Sequence, residues 1–380
     1  MNSLRQLHAA GQSIWLDFID RGLLAGAELA RMIRDDALAG MTSNPTIFEK
    51  ALAEGADYDE QLLAAPEGLD AGALFELVST DDVRTACDIF RPVYDESKGH
   101  DGFVSIEVSP ALAHDVEATI LEARRLWRTV DRPNVMVKVP GTSAGAHAVR
   151  RLLAEGININ ITLLFSIDAY ATIIDAYFDA LEERAGRGES PAGIASVASF
   201  FVSRVDTEVD KRLEALAADA TGEQRERLLA LRGRAAIANA KRAYRLFEER
   251  FSGSRWQALE RRGARVQRPL WASTSTKNPE YRDVRYGEAL IGPETGNTLP
   301  PQTLEAFRDH GIVRRTIDDE VTESDRTIAA LEAAGIPMRA VTDKLLVDGL
   351  ASFQKSFDSL LAGLGGKVRA LGRDLAPAHE

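Results

Sequence analysis

Residues 134–140, NVMVKVP, and 157–165, ININITLLF, alternate with the two-residue period of a β-strand. Val135, Val137 and Val139 share one face of the first segment, and Lys138 lies opposite them with Met136. In the second, Ile157, Ile159 and Ile161 take one face, while Asn158, Asn160 and Thr162 take the other. Both segments run straight into a helix start. Thr142 or Ser143 would cap the helix after Gly141, and Ser166 follows Phe165 as another N-cap. A strand that feeds a helix, twice in succession, predicts a parallel sheet with right-handed crossovers.

The same rhythm extends along the chain. Further candidate strands are 13–19 (SIWLDFI), 40–48 (GMTSNPTIF), 102–108 (GFVSIEV), 194–201 (IASVASFF), 269–274 (PLWAST) and 288–294 (EALIGPE), which makes eight in all. Helical periodicity fills the gaps. Leu112, Val116, Ile120, Ala123 and Trp127 share one face of 110–130, where Ser109-Pro110 reads as cap and first turn. Tyr170, Ile173, Ile174, Tyr177, Phe178 and Leu181 do the same in 166–184. Eight strands favour an α/β fold of the (β/α)8 TIM-barrel type over an open doubly wound sheet, which is the runner-up. A minimal barrel needs about 250 residues, and this chain has 380. We therefore expect one domain over residues 1–380 that carries additional helical insertions. They are a mostly helical stretch near 50–98, a long helical hairpin at 206–262 turning near 217–222, and C-terminal helices over 301–370. The last of these ends in the amphipathic LASFQKSFDSLLAGL.

Composition narrows the partners. With 46 Lys and Arg against 58 Asp and Glu, the net charge is −12. A basic field for nucleic acid or an anionic membrane is therefore not expected, although a local pocket for a small phosphate is compatible with it. The single Cys87 excludes an intrachain disulfide and a cysteine-based metal cluster. The N-terminal MNSLRQLHAAGQSIW lacks the apolar core of a signal peptide, and no apolar run reaches about 18 residues. A cytoplasmic, soluble protein is the expectation.

Polar residues on the inner faces carry the chemistry. Besides Lys138 and Thr162, Asp17 lies between Trp15 and Ile19. Glu107 and Ser105 oppose Val104, Ile106 and Val108, while Thr42, Asn44 and Thr46 alternate with Met41, Ser43 and Pro45. Covered parallel strands are normally apolar on both faces, and a lone buried charge costs several kcal/mol. Each residue has a plainer reading. Lys138 could be an ion-pair lysine, Asp17 a loop aspartate, and Asn158 and Asn160 satisfied members of a barrel layer. Convergence near the C-terminal strand ends favours one polar pocket. A desolvated lysine is a nucleophile that condenses with a ketone to a Schiff base, an electron sink for breaking a C–C bond. Glu107 could move the protons of carbinolamine dehydration through a water held by Thr162, and Asp17 could take the proton from the hydroxyl whose carbon is cleaved. Arg204 after the sixth strand, with Ser273, Ser275 and Lys277 after the seventh, suits a phosphate group.

Other chemistries lack their motifs. No G-x-S-x-G, Walker loop or G-x-G-x-x-G occurs. Gly363-Leu364-Gly365-Gly366-Lys367 has the wrong spacing for a phosphate loop and reads as a helix terminus. His8, His100, His114, His147, His310 and His379 are scattered and form no ligand pair on a strand end, so a metal-dependent aldolase is disfavoured. With a lysine as electron sink, no cofactor is expected.

With those residues in hand, the chain resembles the transaldolase family of Schiff-base, class I aldolase-type barrels. The segments that carry the resemblance are WLDFI, TSNPTIF, SIEVSP, VMVKVPGT, GININITLLFS and SFFVSR. WASTSTKNPEYRD and GPETGNTLP are similar to the longer bacterial branch. The resemblance covers nearly the whole chain. It implies Lys138 as the Schiff-base lysine, Glu107 and Thr162 as water-mediated proton handlers, and Asp17 as the base for cleavage. It further implies Asn44 and Ser199 as orienters of substrate hydroxyls, with Arg204 and Ser273 on the phosphate. Shorter members carry an arginine where this chain has Ser275, a loss that Lys277 would make good. The implied activity is transaldolase, a transferase of the pentose phosphate pathway. It would move a dihydroxyacetone unit from sedoheptulose 7-phosphate to glyceraldehyde 3-phosphate, giving erythrose 4-phosphate and fructose 6-phosphate. Sugar phosphates would be the partners, without nucleic acid or membrane, in a monomer or homodimer. Two alternatives stay open: an aldolase that releases free dihydroxyacetone, and a silent barrel that only binds sugar phosphates.

Overall fold

Eight short parallel strands pair in the order in which they occur and close on themselves. They are β1 (Gln12–Asp17), β2 (Leu38–Thr42), β3 (Phe103–Glu107), β4 (Val135–Pro140), β5 (Ile159–Leu164), β6 (Ser196–Phe201), β7 (Arg268–Ala272) and β8 (Thr295–Leu299). In this computed structural model residues 2–53 and 55–376 are described; His379, one of the six histidines, lies outside them. Closure comes from β1 on β8, with Gln12 opposite Thr295 and Leu16 opposite Leu299. The result is the expected (β/α)8 barrel.

Two faces of each strand meet two environments. Ile14, Val104, Ile106, Val135, Val137, Val139, Ile159 and Ile161 point outward into the apolar layer under the helices. Trp15, Phe103, Met136, Ala195, Val197 and Leu270 form a separate plug inside the barrel. Gly40 makes room for that plug, because a Cβ there would lie 2.6 Å from the Trp15 ring. Above it, Asn160 Nδ2 donates to Ser105 Oγ (3.0 Å) and Ser199 Oγ donates to Asn160 Oδ1 (2.7 Å). Asn158 takes the plainer reading. Its amide donates to the carbonyls of Pro133 and Val135, and its Oδ1 accepts from the Ala195 amide.

Several expected elements shift. The eighth strand is not 288–294: Arg285–Ala289 is a short helix, and the strand is the polar TGNTL that follows. Two of its polar side chains are bonded locally: Thr274 Oγ1 donates to Asn297 Oδ1 (2.8 Å) and Thr295 Oγ1 to the Gly292 carbonyl (2.6 Å). The second strand ends at Thr42. Pro45 opens a helix, Pro45–Ala53, whose Ile47 amide donates to Asn44 Oδ1 (3.1 Å). Proline at the first helical position has no orphan N–H to satisfy, so Thr46 is helical and Asn44 is its cap. Ser109 makes no capping bond. Pro110–Leu112 is a 3-10 turn, and Asp115 caps the helix Val116–Val130. Thr142 and Ser166 do cap, accepting from the amides of Gly145 and Ala169.

Helices fill the long connections. Pro45–Ala53, Asp59–Ala64 and Ala71–Glu96 lie between β2 and β3. Ser203–Ala218, Gly222–Leu229, Ala235–Arg250 and Ser254–Glu260 lie between β6 and β7, four segments where a simple hairpin was expected. The last helix, Met338–Ala370, contains the glycine-rich 363–367 stretch within its final turns. It buries Val341, Leu345, Gly349 and Phe353 at four-residue spacing. Thr46 Oγ1 donates to Ser356 Oγ (2.8 Å), and Lys367 Nζ lies 2.9 Å from Asp59 and donates to the Gly55 carbonyl (2.7 Å). A train of edge-on rings, Phe48–Phe75–Phe357, joins the same elements.

Candidate active site

Strand register aligns the key side chains in two groups. Glu107 on β3 is opposite Lys138 on β4, which is opposite Asn160 on β5. Asp17 on β1 is opposite Thr42 on β2. Lys138 is buried. Its Nζ lies 3.1 Å from Glu107 Oε2 and donates to the Ser43 carbonyl at 3.0 Å. The turn after β2 supplies that carbonyl, and Ser43 Oγ is tied to the Ser105 carbonyl (2.8 Å).

The pocket leaves polar capacity unused. Glu107 Oε2 makes only the ion-pair contact, without hydrogen-bond alignment, and Thr162 Oγ1 is buried with no hydrogen-bond partner. A hydroxyl so placed is costly unless a water or ligand meets it. Burial pushes the Glu107 carboxyl above the usual range, and the Lys138 charge pulls it only part of the way back. Asp17 is likewise pushed up by burial, against the opposing charges of Lys138, Lys277 and Arg204.

The phosphate-side residues meet at the loop ends of β6 and β7. Half-buried Arg204 lies over the Phe201 ring, 5.4 Å from its centroid. Ser203 Oγ and Ser273 Oγ are 3.1 Å apart, and Ser273 holds a left-handed backbone at φ 54°. That conformation is uncommon for a residue with a side chain, and it turns the loop at the cavity wall. Lys277 reaches in from the exposed rim and donates to Ser275 Oγ (2.8 Å). Burial of its amine end and the Arg204 charge push the Lys277 pKa down, while Asp17 opposes them.

A cavity of about 140 Å³ gathers Asp17, Asn44, Lys138, Thr162, Ser199, Arg204, Ser273, Ser275 and Lys277 in its wall. Glu107 stands behind Lys138. Thr42, Phe201, Thr298, Pro300 and Phe353 complete the lining. Phe353 comes from the C-terminal helix, and nothing in the strand pattern signals it. The Ser43 carbonyl is equally invisible, because a backbone acceptor has no residue signature. The arrangement combines a buried amine beside a carboxylate with two cations and several hydroxyls.

Elsewhere, Cys87 is buried and its thiol is pushed up by burial. Among the described residues, no three His, Cys, Asp or Glu side chains are grouped to hold a metal ion. No helix among them is long and apolar enough to cross a membrane.

Known proteins resemble this chain over nearly its full length. The family pattern described as Transaldolase/Fructose-6-phosphate aldolase matches residues 14–364. A transaldolase of Acidothermus cellulolyticus is 49% identical over 363 residues, covering 95% of each chain. One of Mycolicibacterium smegmatis is 47% identical over 371 residues, covering 97% of this chain and 98% of its own. The protein named transaldolase 2 of a Nostoc species is 45% identical over 376 residues, covering 98% and 99%. The chain belongs to the transaldolase/fructose-6-phosphate aldolase family.

Proposed function

We propose that this protein is a transaldolase: a transferase that carries a three-carbon ketose unit between sugar phosphates on Lys138. The Nζ–Glu107 contact at the wall of a cavity that Arg204 and Lys277 also line is the observation that carries the reading. The amine of Lys138 attacks the ketone carbon of sedoheptulose 7-phosphate. Glu107, whose raised carboxyl is a better base than an exposed glutamate, takes up and returns the protons as water leaves. Thr162 Oγ1, unpaired in the wall, holds the water through which those protons move. Asp17 removes the proton of the hydroxyl on the carbon to be cleaved, and the electron pair of the broken C–C bond passes into the iminium. Erythrose 4-phosphate departs. Glyceraldehyde 3-phosphate then accepts the three-carbon unit, and hydrolysis of the new imine releases fructose 6-phosphate. Asn44 and Ser199 orient the substrate hydroxyls. Arg204, Ser273, Ser275 and Lys277 hold the phosphate by charge and hydrogen bonds.

The test is borohydride reduction in the presence of fructose 6-phosphate, followed by peptide mapping. A reduced three-carbon adduct on Lys138 is the expected result. An adduct on a different lysine would keep the chemistry and move the site. Bound sugar with no adduct would leave the silent binding barrel.

A further inference from the structure

Transfer chemistry needs more than a nucleophile. After the first aldehyde leaves, the three-carbon unit stays on the lysine until an acceptor arrives. Water competes for it. Once the enamine is protonated, water adds to the imine carbon, the C–N bond breaks, and dihydroxyacetone leaves as the amine returns to Lys138, with no change in oxidation level. Which fate wins depends on how well the cavity excludes water.

Barrel strands and the loops that follow them build the polar walls, but one apolar wall residue comes from far along the chain. Phe353, 5% exposed, lines the same cavity as Lys138. Its helix is fixed at close range. One turn earlier, a Cβ on Gly349 would lie 3.0 Å from Leu163 and 3.7 Å from the Arg204 guanidinium. One turn later, Phe357 packs edge-on against Phe75, at 5.7 Å between centroids, and Ser356 is bonded to Thr46. The glycine lets the helix approach, and the flanking contacts hold Phe353 in the cavity wall. A buried ring needs no such pinning for packing alone, since much of this helix is apolar.

We propose that Phe353 is the water-excluding roof of the cavity and sets how the covalent intermediate divides between transfer and hydrolysis. This rests on the Schiff-base reading above. Phe353 is a positioning residue, because it acts on the reaction by denying water access to the imine.

The experiment is a graded series, Phe353→Leu, Phe353→Val and Phe353→Ala. Each variant receives fructose 6-phosphate with and without erythrose 4-phosphate. Free dihydroxyacetone and sedoheptulose 7-phosphate are measured together, and borohydride trapping follows on each. Removing the ring vacates more than the ~30 Å³ share of one water. The ratio of release to transfer should rise stepwise, reaching roughly tenfold in Phe353→Ala, a change of about 1.4 kcal/mol in relative barriers. The adduct on Lys138 should persist throughout. A flat ratio across the folded members of the series, or equal losses of release and transfer, would overturn the roof. Absence of the adduct in the unaltered protein would instead overturn the Schiff-base reading.

Discussion

Two buried ion pairs sit at opposite ends of the barrel. At the C-terminal end Lys138 faces Glu107 at 3.1 Å, and at the N-terminal end Arg268 faces Asp101 at 2.9 Å, with every side chain 6% exposed or less. Burial is the same, and satisfaction is not. Arg268 also donates to Ser13 Oγ (2.7 Å) and the His100 carbonyl (2.6 Å), and lies 3.1 Å from His100 Nε2. For Asp101, burial alone would raise the pKa, but the Arg268 charge and the Ser13 hydrogen bond outweigh it and hold the carboxyl below its usual value. Glu107 ends up on the other side, pushed up by a burial that Lys138 offsets only in part. A saturated pair locks two ionised groups in place. An incomplete pair keeps a carboxylate able to take a proton beside the Lys138 amine, which is what the proposed imine chemistry needs. The opposite shifts also give opposite linkage. Asp101 contributes stability above its unfolded value of 3.8 and loses it as pH falls through its lower folded value. Glu107 contributes stability below 4.5 that is lost as pH rises through its higher folded value.

Breaking each pair at its charged member should show the largest contrast. Lys138→Ala removes the nucleophile, so kcat should fall by at least about 10³-fold with the fold retained. Asp101→Asn leaves the Arg268 charge buried without its counter-ion, and should cost about 3–5 kcal/mol in denaturant unfolding while kcat per folded molecule stays unchanged. An active Lys138→Ala, or an Asp101→Asn as stable as the parent, would erase the distinction between the two ends. Glu107→Gln comes next, with a loss in kcat of roughly 10²-fold from the missing proton acceptor. In the parent, activity should decline as pH falls through a value above 4.5, because the proton acceptor must be a carboxylate. The pH–rate profile of Glu107→Gln should lose that contribution, while Asp17, also pushed up, keeps a limb of its own. An unchanged profile would remove Glu107 from the proton path.

Sequence periodicity exposed the polar pocket at the C-terminal end, because barrel strands with polar residues on an inner face depart from the apolar rule. Lys138, Glu107, Asp17 and Thr162 were all visible in this way. The eighth strand was not. Its residues TGNTL lack the β-branched alternation of a strand; only a glycine fits at 296, where a Cβ would lie 2.6 Å from Leu270, and Asn297 Oδ1 accepts from Thr274 of the neighbouring strand's loop. EALIGPE looked more strand-like, yet Leu290 and Ile291 bury their apolar surface in the outer layer. Phe353 and the Ser43 carbonyl were out of reach for the same physical reason: their importance lies in contacts between segments far apart in the chain. The Arg268–Asp101 pair was hidden similarly, its members being separated by 167 positions. Period-two patterns report which face a residue takes, and they carry no information about what meets it there.

The finest comparison lies between two hydroxyls. Ser13 Oγ accepts from Arg268, whereas Thr162 Oγ1 has no partner within the protein. Removing a satisfied partner should therefore cost stability, and removing an idle one should not. Ser13→Ala should lower unfolding free energy by about 1–2 kcal/mol, since the guanidinium loses an acceptor in a buried site. Its kcat should be that of the parent. Thr162→Val keeps the shape and deletes a hydroxyl that no protein group uses, so stability should hold within about 0.5 kcal/mol or improve slightly. Its kcat should nevertheless drop by about tenfold, because the proposed water between Glu107 and the substrate would lose its anchor. Steady-state rates and urea unfolding on the two variants decide the matter side by side. A Thr162→Val that is destabilised at full activity would make Thr162 a packing residue, and the C-terminal end would then differ from the N-terminal end by its ion pair alone.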